Sequence, residues 1–435
     1  MPQLYLSERR PLRYTTFFYL YVMQGLPPGF SLTAMANYLA AEGKSPADVG
    51  AFVAVVGLPW TIQFVWGPLI DRFQGSAMGR RRPWVLGAQL LAFTASLGLL
   101  VVQDPAADLT VLSVAFLVHS IAASVQDAAV DAMAISTIPE TERGRVNAFM
   151  RGGFMAGQGL GAILFATLLR QFDFRTAALT LSGLLLLFTL VTFFIRERRG
   201  DALWPGQRRT NVGQTTPDRY PDHSFRWLFT ELFRGLFAPQ SLRLFGAILL
   251  VYLSGALFRR AYPMHLIQVL GWSDTEVSVL TGAFGMLLPL GVVLLSGAAA
   301  DRYGARGLLG GIMLGLAAYF FVFNGLAEFW ANKSFGRVGL ALLYLKDPLF
   351  SVAAMPVLMS ICRPGVEGSQ FTTYMALVNF SDVVGSYAAG QLQTVVSAPV
   401  IGLFAGALIL VAAGVVWWVF RGEGRVVNYS RVTKL

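Results

Sequence analysis

The chain has 435 residues, 55% hydrophobic and only 13% charged, with a formal net charge of +10. Soluble domains carry about 25% charged residues, so this composition, with a mean hydropathy of +0.57, excludes an ordinary soluble globule and points to a polytopic membrane protein in a lipid bilayer. Cys362 is the single cysteine, and His119, His223 and His265 show no metal-ligand spacing, so a disulfide, a metal centre and any other cofactor are not expected.

A spanning helix needs about 20 apolar residues. Twelve stretches qualify, at 14–41, 47–70, 84–102, 109–138, 143–169, 175–195, 242–270, 275–299, 307–327, 338–361, 367–394 and 398–420. The predicted fold is therefore all-α. The polar start Met1–Arg13 lacks the short apolar region and small-residue cleavage site of a secretory leader. The first span is interrupted by Gly25-Leu26-Pro27-Pro28-Gly29, a break tolerated where a cavity or a neighbouring helix satisfies the backbone. Residues 196–241 form the one long polar linker, dividing 1–195 from 242–435, six spans from six. Its end, 225–237, alternates Phe, Trp and Leu with Arg226 and Arg234, as either an interfacial helix on the inner leaflet or the start of the seventh span.

With the N-terminus inside, 25 Lys and Arg fall in inside segments and 5 in outside loops. That bias places both termini in the cytoplasm. The same scatter over short turns, rather than one compact face, argues against nucleic acid as a partner. The halves repeat weakly. Gly67-Pro-Leu-Ile-Asp71-Arg72 after the second span matches Gly297-Ala-Ala-Ala-Asp301-Arg302 after the eighth, and helix-starting Ser45 and Ser273 precede Asp48 and Glu276.

Charge inside spans is costly and marks function by default. Asp127 and Asp131, four apart, share one face of the fourth span, and Arg151 lies at similar depth in the fifth. The trio reads either as a proton-coupling site or as a static ion pair. Arg259 and Arg260 lie near the middle of the seventh span. Guanidinium forks suit carboxylate or phosphate, so the pair reads either as an anionic-solute clamp, one arginine lining the cavity with Asp382 nearby and the other pairing with Asp382 or Asp347, or as helix–helix pairing or snorkelling to an interface. Lys346 and Asp347 are positioned to neutralise each other. Gln24, Tyr38 and Gln126 are candidate cavity residues, with helix–helix hydrogen bonding as the competing role. No phosphate-cradling loop and no hydrolase arrangement of acids and histidines occurs, so no ATP drive and no enzyme is expected.

The loop G-x-x-x-D-R followed by Gly79-Arg80-Arg81-Arg82 resembles the signature of the major facilitator superfamily, here in both halves. Gly25-Leu26-Pro27, Val56-Gly57-Leu58-Pro59, Trp66-Gly67-Pro68-Leu69-Ile70-Asp71-Arg72, Gln126-Asp127-Ala-Ala-Val-Asp131-Ala132, Glu142-Arg143-Gly144 and Gly368-Ser369-Gln370-Phe371 resemble its AmpG-like branch, which holds muropeptide permeases, siderophore permeases and acetyl-CoA transporters. Leu253 and Ala256 stand where muropeptide permeases carry Lys and Asp. The resemblance implies twelve helices in two six-helix bundles and a monomer in the bacterial inner membrane. It also implies gating roles for Asp71, Arg72, Arg80, Asp301 and Arg302. The expected function is proton-coupled import of an anionic or zwitterionic organic solute, muropeptide- or siderophore-like, by alternating access. A proton-driven exporter of amphiphilic compounds and a non-transporting membrane sensor are the alternatives.

Overall fold

The computed structural model describes residues 4–73, 76–204, 225–363 and 366–432. The side chains of Asp71, Asp301 and Arg302, three of the expected gate residues, lie outside the described residues. The chain is almost wholly helical. In order it forms β1 (Leu4–Tyr5), α1 (Arg10–Pro28), a π-helical stretch Gly29–Met35, α2 (Ala36–Ala41), α3 (Pro46–Gly57), a 3-10 stretch Leu58–Val65 and α4 (Trp66–Arg72). It continues with α5 (Arg82–Leu97), α6 (Leu109–Thr137), α7 (Glu140–Gln171), α8 (Phe174–Phe194) and β2 (Ile195–Arg196). After the linker come α9 (Phe225–Leu236), α10 (Pro239–Gln268), α11 (Asp274–Gly325), α12 (Lys333–Ser360), α13 (Glu367–Leu392) and α14 (Ala398–Val432). Among the described residues nine helices are long and apolar enough to cross a membrane.

The Gly-Leu-Pro-Pro-Gly break is tolerated within the first span: Pro27 and Pro28 end α1 and the π-helical stretch follows from Gly29. One expectation changes. The eighth and ninth spans run on as the single helix α11, where an intervening loop is expected at Gly297–Arg306. The cause is readable in the sequence. Past Pro289 that helix contains no proline, and the turn signal carries three alanines, the best helix formers. Its first-half counterpart carries Pro68 and Pro83 and leaves the helix after Arg72.

The chain divides into two compact units. The first gathers β1 to Lys44, Phe52 through β2, and Gly271–Met286; the second gathers Ser45–Ala51, α9, α10 and Leu287 onward. Two short segments thus lie outside the half that holds their neighbours in sequence. In the first unit α1 packs on α7 through small residues. A Cβ on Gly157 or Gly153 would collide with the carbonyl oxygens of Val22 or Phe18, and one on Gly25 would lie 2.6 Å from the Gln158 nitrogen. Gly159 faces the other way and meets Gly282 of α11, where an added Cβ would lie 2.5 Å from the carbonyl oxygen. Close backbone approach of this kind supplies the dispersion contact that holds helices together in lipid. In the second unit Phe258, Tyr262, Phe323 and Trp330 interlock edge-to-face and stacked between α10, α11 and the turn before α12.

The end of the first unit that holds the chain's start is tied by three long-range contacts. β1 pairs in parallel with β2. Arg13, nearly fully buried, donates to both oxygens of Glu142 at 2.8–3.0 Å and to the Leu6 carbonyl at 2.9 Å. Glu197 accepts from the backbone N–H groups of Arg80 (3.2 Å), Arg81 (2.6 Å) and Arg82, the orphan donors at the start of α5. Gly79, at φ +123°, turns the loop into that carboxylate, and a Cβ there would lie 2.9 Å from its Oε1. Arg72 is exposed beside Phe73.

Burial pushes the Glu197 carboxyl above its ordinary range, against the pull of the three N–H donors. The folded chain therefore binds this proton more readily than the unfolded chain. Its burial penalty is full at neutral pH and is relieved as pH falls through the raised folded value. Glu197→Gln should flatten this part of the pH dependence of thermal unfolding, followed in detergent below neutral pH. Gly157→Val should lower stability by about 3 kcal/mol or more by forcing α1 and α7 apart, read as a fall in unfolding midpoint and in monodisperse yield.

Candidate functional site

Two charged clusters stand inside spanning helices, one in each unit. In the first, α6 presents Asp127 and Asp131, α1 presents Tyr21, the 3-10 stretch after α3 presents Gln63, and α7 presents Arg151. Gln63 Nε2 donates to Asp127 Oδ2 at 2.6 Å, and the Tyr21 hydroxyl donates to Asp131 Oδ1. Both carboxylates are half-buried. Arg151 is exposed at the surface of α7 and acts on both carboxylates from a distance. Among the described residues it makes no ion pair with either. Each acid is thus held by a neutral donor. The local fold explains the placement. Tyr21 sits in a packed patch with Leu20, Val130, Met133 and Met150, which fixes α1 against α6 and α7 at this depth. Gln63 reaches α6 because Pro59 ends the regular helix and the tighter 3-10 turn swings its side chain inward.

Gln24 and Gln126 are buried at 6% and 2% exposure. Among the described residues neither polar atom of the Gln24 amide, nor Nε2 of Gln126, has a partner. A buried polar atom with open hydrogen-bond capacity costs about 1–3 kcal/mol, so both amides keep hydrogen-bond capacity that the described residues do not fill. Tyr38 lies elsewhere. Arg170 stacks over its ring at 4.7 Å while bonding Glu42 at 2.8 Å and Asp274 at 3.0 Å. It therefore belongs to a charged cluster where α2 and α7 end and α11 begins. His119 is locked to α5 by Nδ1 on the Ala92 carbonyl at 2.9 Å.

In the second unit Arg259 of α10 bridges two helices. It bonds Asp347 of α12 at 2.8 Å and pairs with Asp382 of α13. Asp347 also takes Lys346, whose ammonium is buried, stands 5.6 Å from the centre of the Tyr252 ring and packs on Gly255. A Cβ on Gly255 would displace the end of the Lys346 side chain from its present position. Arg260 points to the neighbourhood of Tyr344 and Asp382. Three cations thus face two carboxylates, and the Arg259 and Asp382 side chains stay 33% and 44% exposed. Tyr21 and Gly255 are the residues that sequence reasoning missed. Neither carries a signal of its own, because a tyrosine and a glycine in a span are ordinary packing residues until their neighbours are known.

Arg259→Ala leaves two carboxylates short of their shared partner. It should cost about 3–5 kcal/mol in unfolding, and adding Asp382→Asn should recover part of that loss, as a double-mutant cycle in thermal unfolding would show.

Residues 15–243 match the family model described as Major Facilitator Superfamily. The anhydromuropeptide permease of Escherichia coli strain K12 is 23% identical over 81% of this chain and 68% of that protein. Putative transporter AmpG 3 of Rickettsia prowazekii is 23% identical over 66% of this chain and 67% of its own length. Among solved structures, the POT family transporter PepTSo aligns over 96% of this chain and 99% of that one with a TM-score of 0.66 at 12% identity. A point mutant of the nucleoside transporter NupG aligns over 94% and 100% with a TM-score of 0.65 at 14% identity.

Proposed function

Since the chain belongs to the major facilitator superfamily and is a multi-pass membrane transporter similar to AmpG-like permeases, we propose that it imports an anionic or zwitterionic organic solute together with protons, by alternating access. The reading includes two six-helix bundles joined by the 196–241 linker, both termini in the cytoplasm of a bacterium, and a monomer in the inner membrane.

The observation that carries proton coupling is that Asp127 and Asp131 are held in a span by Gln63 and Tyr21 and not by a cation. In a tight buried ion pair, protonating the acid strands the cation, at a cost of several kcal/mol. A carboxylate held by an amide or a phenol strands nothing when it takes up a proton, since both partners are neutral in either state. Arg151, near but not bonded, favours the ionised form once the proton leaves. This supports an exchanging site over a static pair.

The second cluster supports an anionic solute. Arg259 offers a planar fork already oriented by Asp347 and Asp382, and the excess of cations favours a carboxylate or phosphate. A solute group that displaces Asp382 from Arg259 frees that aspartate, which gives binding a route to conformational change. The relative named anhydromuropeptide permease makes a muropeptide the first solute to test and a siderophore the second. Gln24 and Gln126 are assigned to the polar lining, and Arg72, Arg80 and their second-half counterparts to the inner gate.

Labelled muropeptide and siderophore should accumulate in proteoliposomes only under an inward proton gradient. Asp127→Asn and Asp131→Asn should each abolish gradient-driven accumulation while leaving the protein monodisperse. Arg259→Lys, which keeps the charge and loses the fork, should raise the KM for the solute about tenfold or more. Expulsion of amphiphilic dyes without uptake of either solute would replace the importer with an exporter.

A further inference from the structure

The 3-10 stretch Leu58–Val65 is eight residues long, well past the three or four that such turns usually reach. It lies between two regular helices, α3 and α4, so it is an interruption within one span and not a frayed end. Pro59 lacks the N–H that would bond the Val55 carbonyl, so the regular α3 helix ends where the segment begins. Leu58, Ile62, Phe64 and Val65 are 44–50% exposed, so these side chains point away from the neighbouring helices. Two polar contacts tie it and the following turn to α6. Gln63 bonds Asp127 at 2.6 Å, and Trp66 Nε1 bonds Ser124 Oγ at 3.0 Å, one helical turn away on the same helix. A third polar bond, from Thr61 Oγ1 to the Leu58 carbonyl at 2.7 Å, is internal to the segment.

We propose that Leu58–Val65 is a proton-controlled hinge, and that Gln63 is the positioning residue that carries the state of Asp127 to it. The inference rests on the reading of Asp127 as a proton-exchanging group. An ionised carboxylate accepts a charge-assisted bond from the Gln63 amide, roughly twice as strong as a neutral one. When Asp127 takes a proton, its oxygens accept less well and its new O–H requires an acceptor. The remaining carbonyl oxygen still accepts from Gln63, but through a neutral bond about half as strong, so this tie weakens while Trp66 keeps its own tie to α6. The other charged or titratable groups around Asp127 are Asp131 on its own helix, Tyr21 on α1 and Arg151 on α7. On α5, Arg82 is committed to the carbonyls of Ala202 and Phe193. Arg72 ends α4, exposed beside Phe73. None of these reaches the 3-10 segment by a bond among the described residues, so Gln63 links the titrating pair to the hinge.

Cys362 is the only cysteine, so Cys362→Ser gives a background in which Ile62→Cys takes one spin label on the exposed face of the segment. Label mobility is measured in lipid nanodiscs without solute, between about pH 5 and about pH 9. The proposal predicts a single transition in which the mobile fraction rises roughly three- to tenfold as pH falls. Asp127→Asn should hold the label in the mobile state at every pH, and Gln63→Leu should remove the transition while Asp127 is still present. Should Gln63→Leu fail to fold, Asp127→Asn gives the same reading alone. A label that ignores pH in the otherwise native chain overturns the hinge. So does a transition that survives Gln63→Leu, or one that is lost in Asp131→Asn but kept in Asp127→Asn. Uptake assays on the same variants separate the two readings. Proton-driven uptake with a silent label defeats the hinge and leaves the transporter reading intact. A label transition without proton-driven uptake keeps the hinge and defeats the coupling.

Discussion

The low dielectric inside a spanning helix sets the terms for everything else in this molecule. A charge placed there must find a partner, take up a proton or reach water. The two units meet that demand differently. The second pairs cations with carboxylates directly, Arg259 with Asp347 and Asp382, and Lys346 with Asp347. The first gives its two acids neutral donors and keeps its cation at arm's length. On the proposed reading, one arrangement serves charge exchange with an incoming anion and the other exchange with a proton. Both need rigid neighbours, because a donor displaced by an ångström no longer satisfies the group it serves.

That rigidity comes from backbone contact. Gly25, Gly153, Gly157 and Gly161 let α1 and α7 approach until carbonyl oxygens occupy the space of missing side chains. The pairing fixes Tyr21 against α7, and the packed patch with Val130 and Met133 sets it against α6, where Asp131 lies. On the other unit Gly255 does the same at smaller scale, clearing a pocket for one ammonium. In both places a residue with no chemistry sets the position of residues that have it.

Much of this was legible in the sequence, and the rest was hidden for identifiable reasons. Apolar runs long enough to span a membrane announce themselves, and so do acids within them, so α6 with Asp127 and Asp131 was readable at once. The partners were not. Spacing places Arg151 at the depth of the acids, but which helix face it presents depends on packing, and the structure gives the acids to Tyr21 and Gln63 instead. Tyr38 looked like a cavity residue because it is polar in an apolar span; Arg170, Glu42 and Asp274 claim it, and two of these three lie far away in sequence. Between the eighth and ninth predicted spans, glycine and charge suggest a turn while alanine favours continued helix, and α11 is helical through that stretch. Which of Arg259 and Arg260 bridges to the neighbouring helices turns on about 100° of helical rotation, which the sequence does not report.

The cap on α5 has a consequence for how the chain is made. The N–H groups of the Arg80–Arg82 loop are satisfied by Glu197, 117 residues downstream of Arg80, and β1 finds its partner strand only at Ile195. A ribosome delivers the N-terminus first, so these groups wait until α8 has entered the membrane. Until then the loop is a set of unmet donors and the first strand an unpaired edge, both open to chaperones and proteases. Synthesis of Ile195–Glu197, just past α8, is therefore the earliest point at which the first half of the molecule can close its own end.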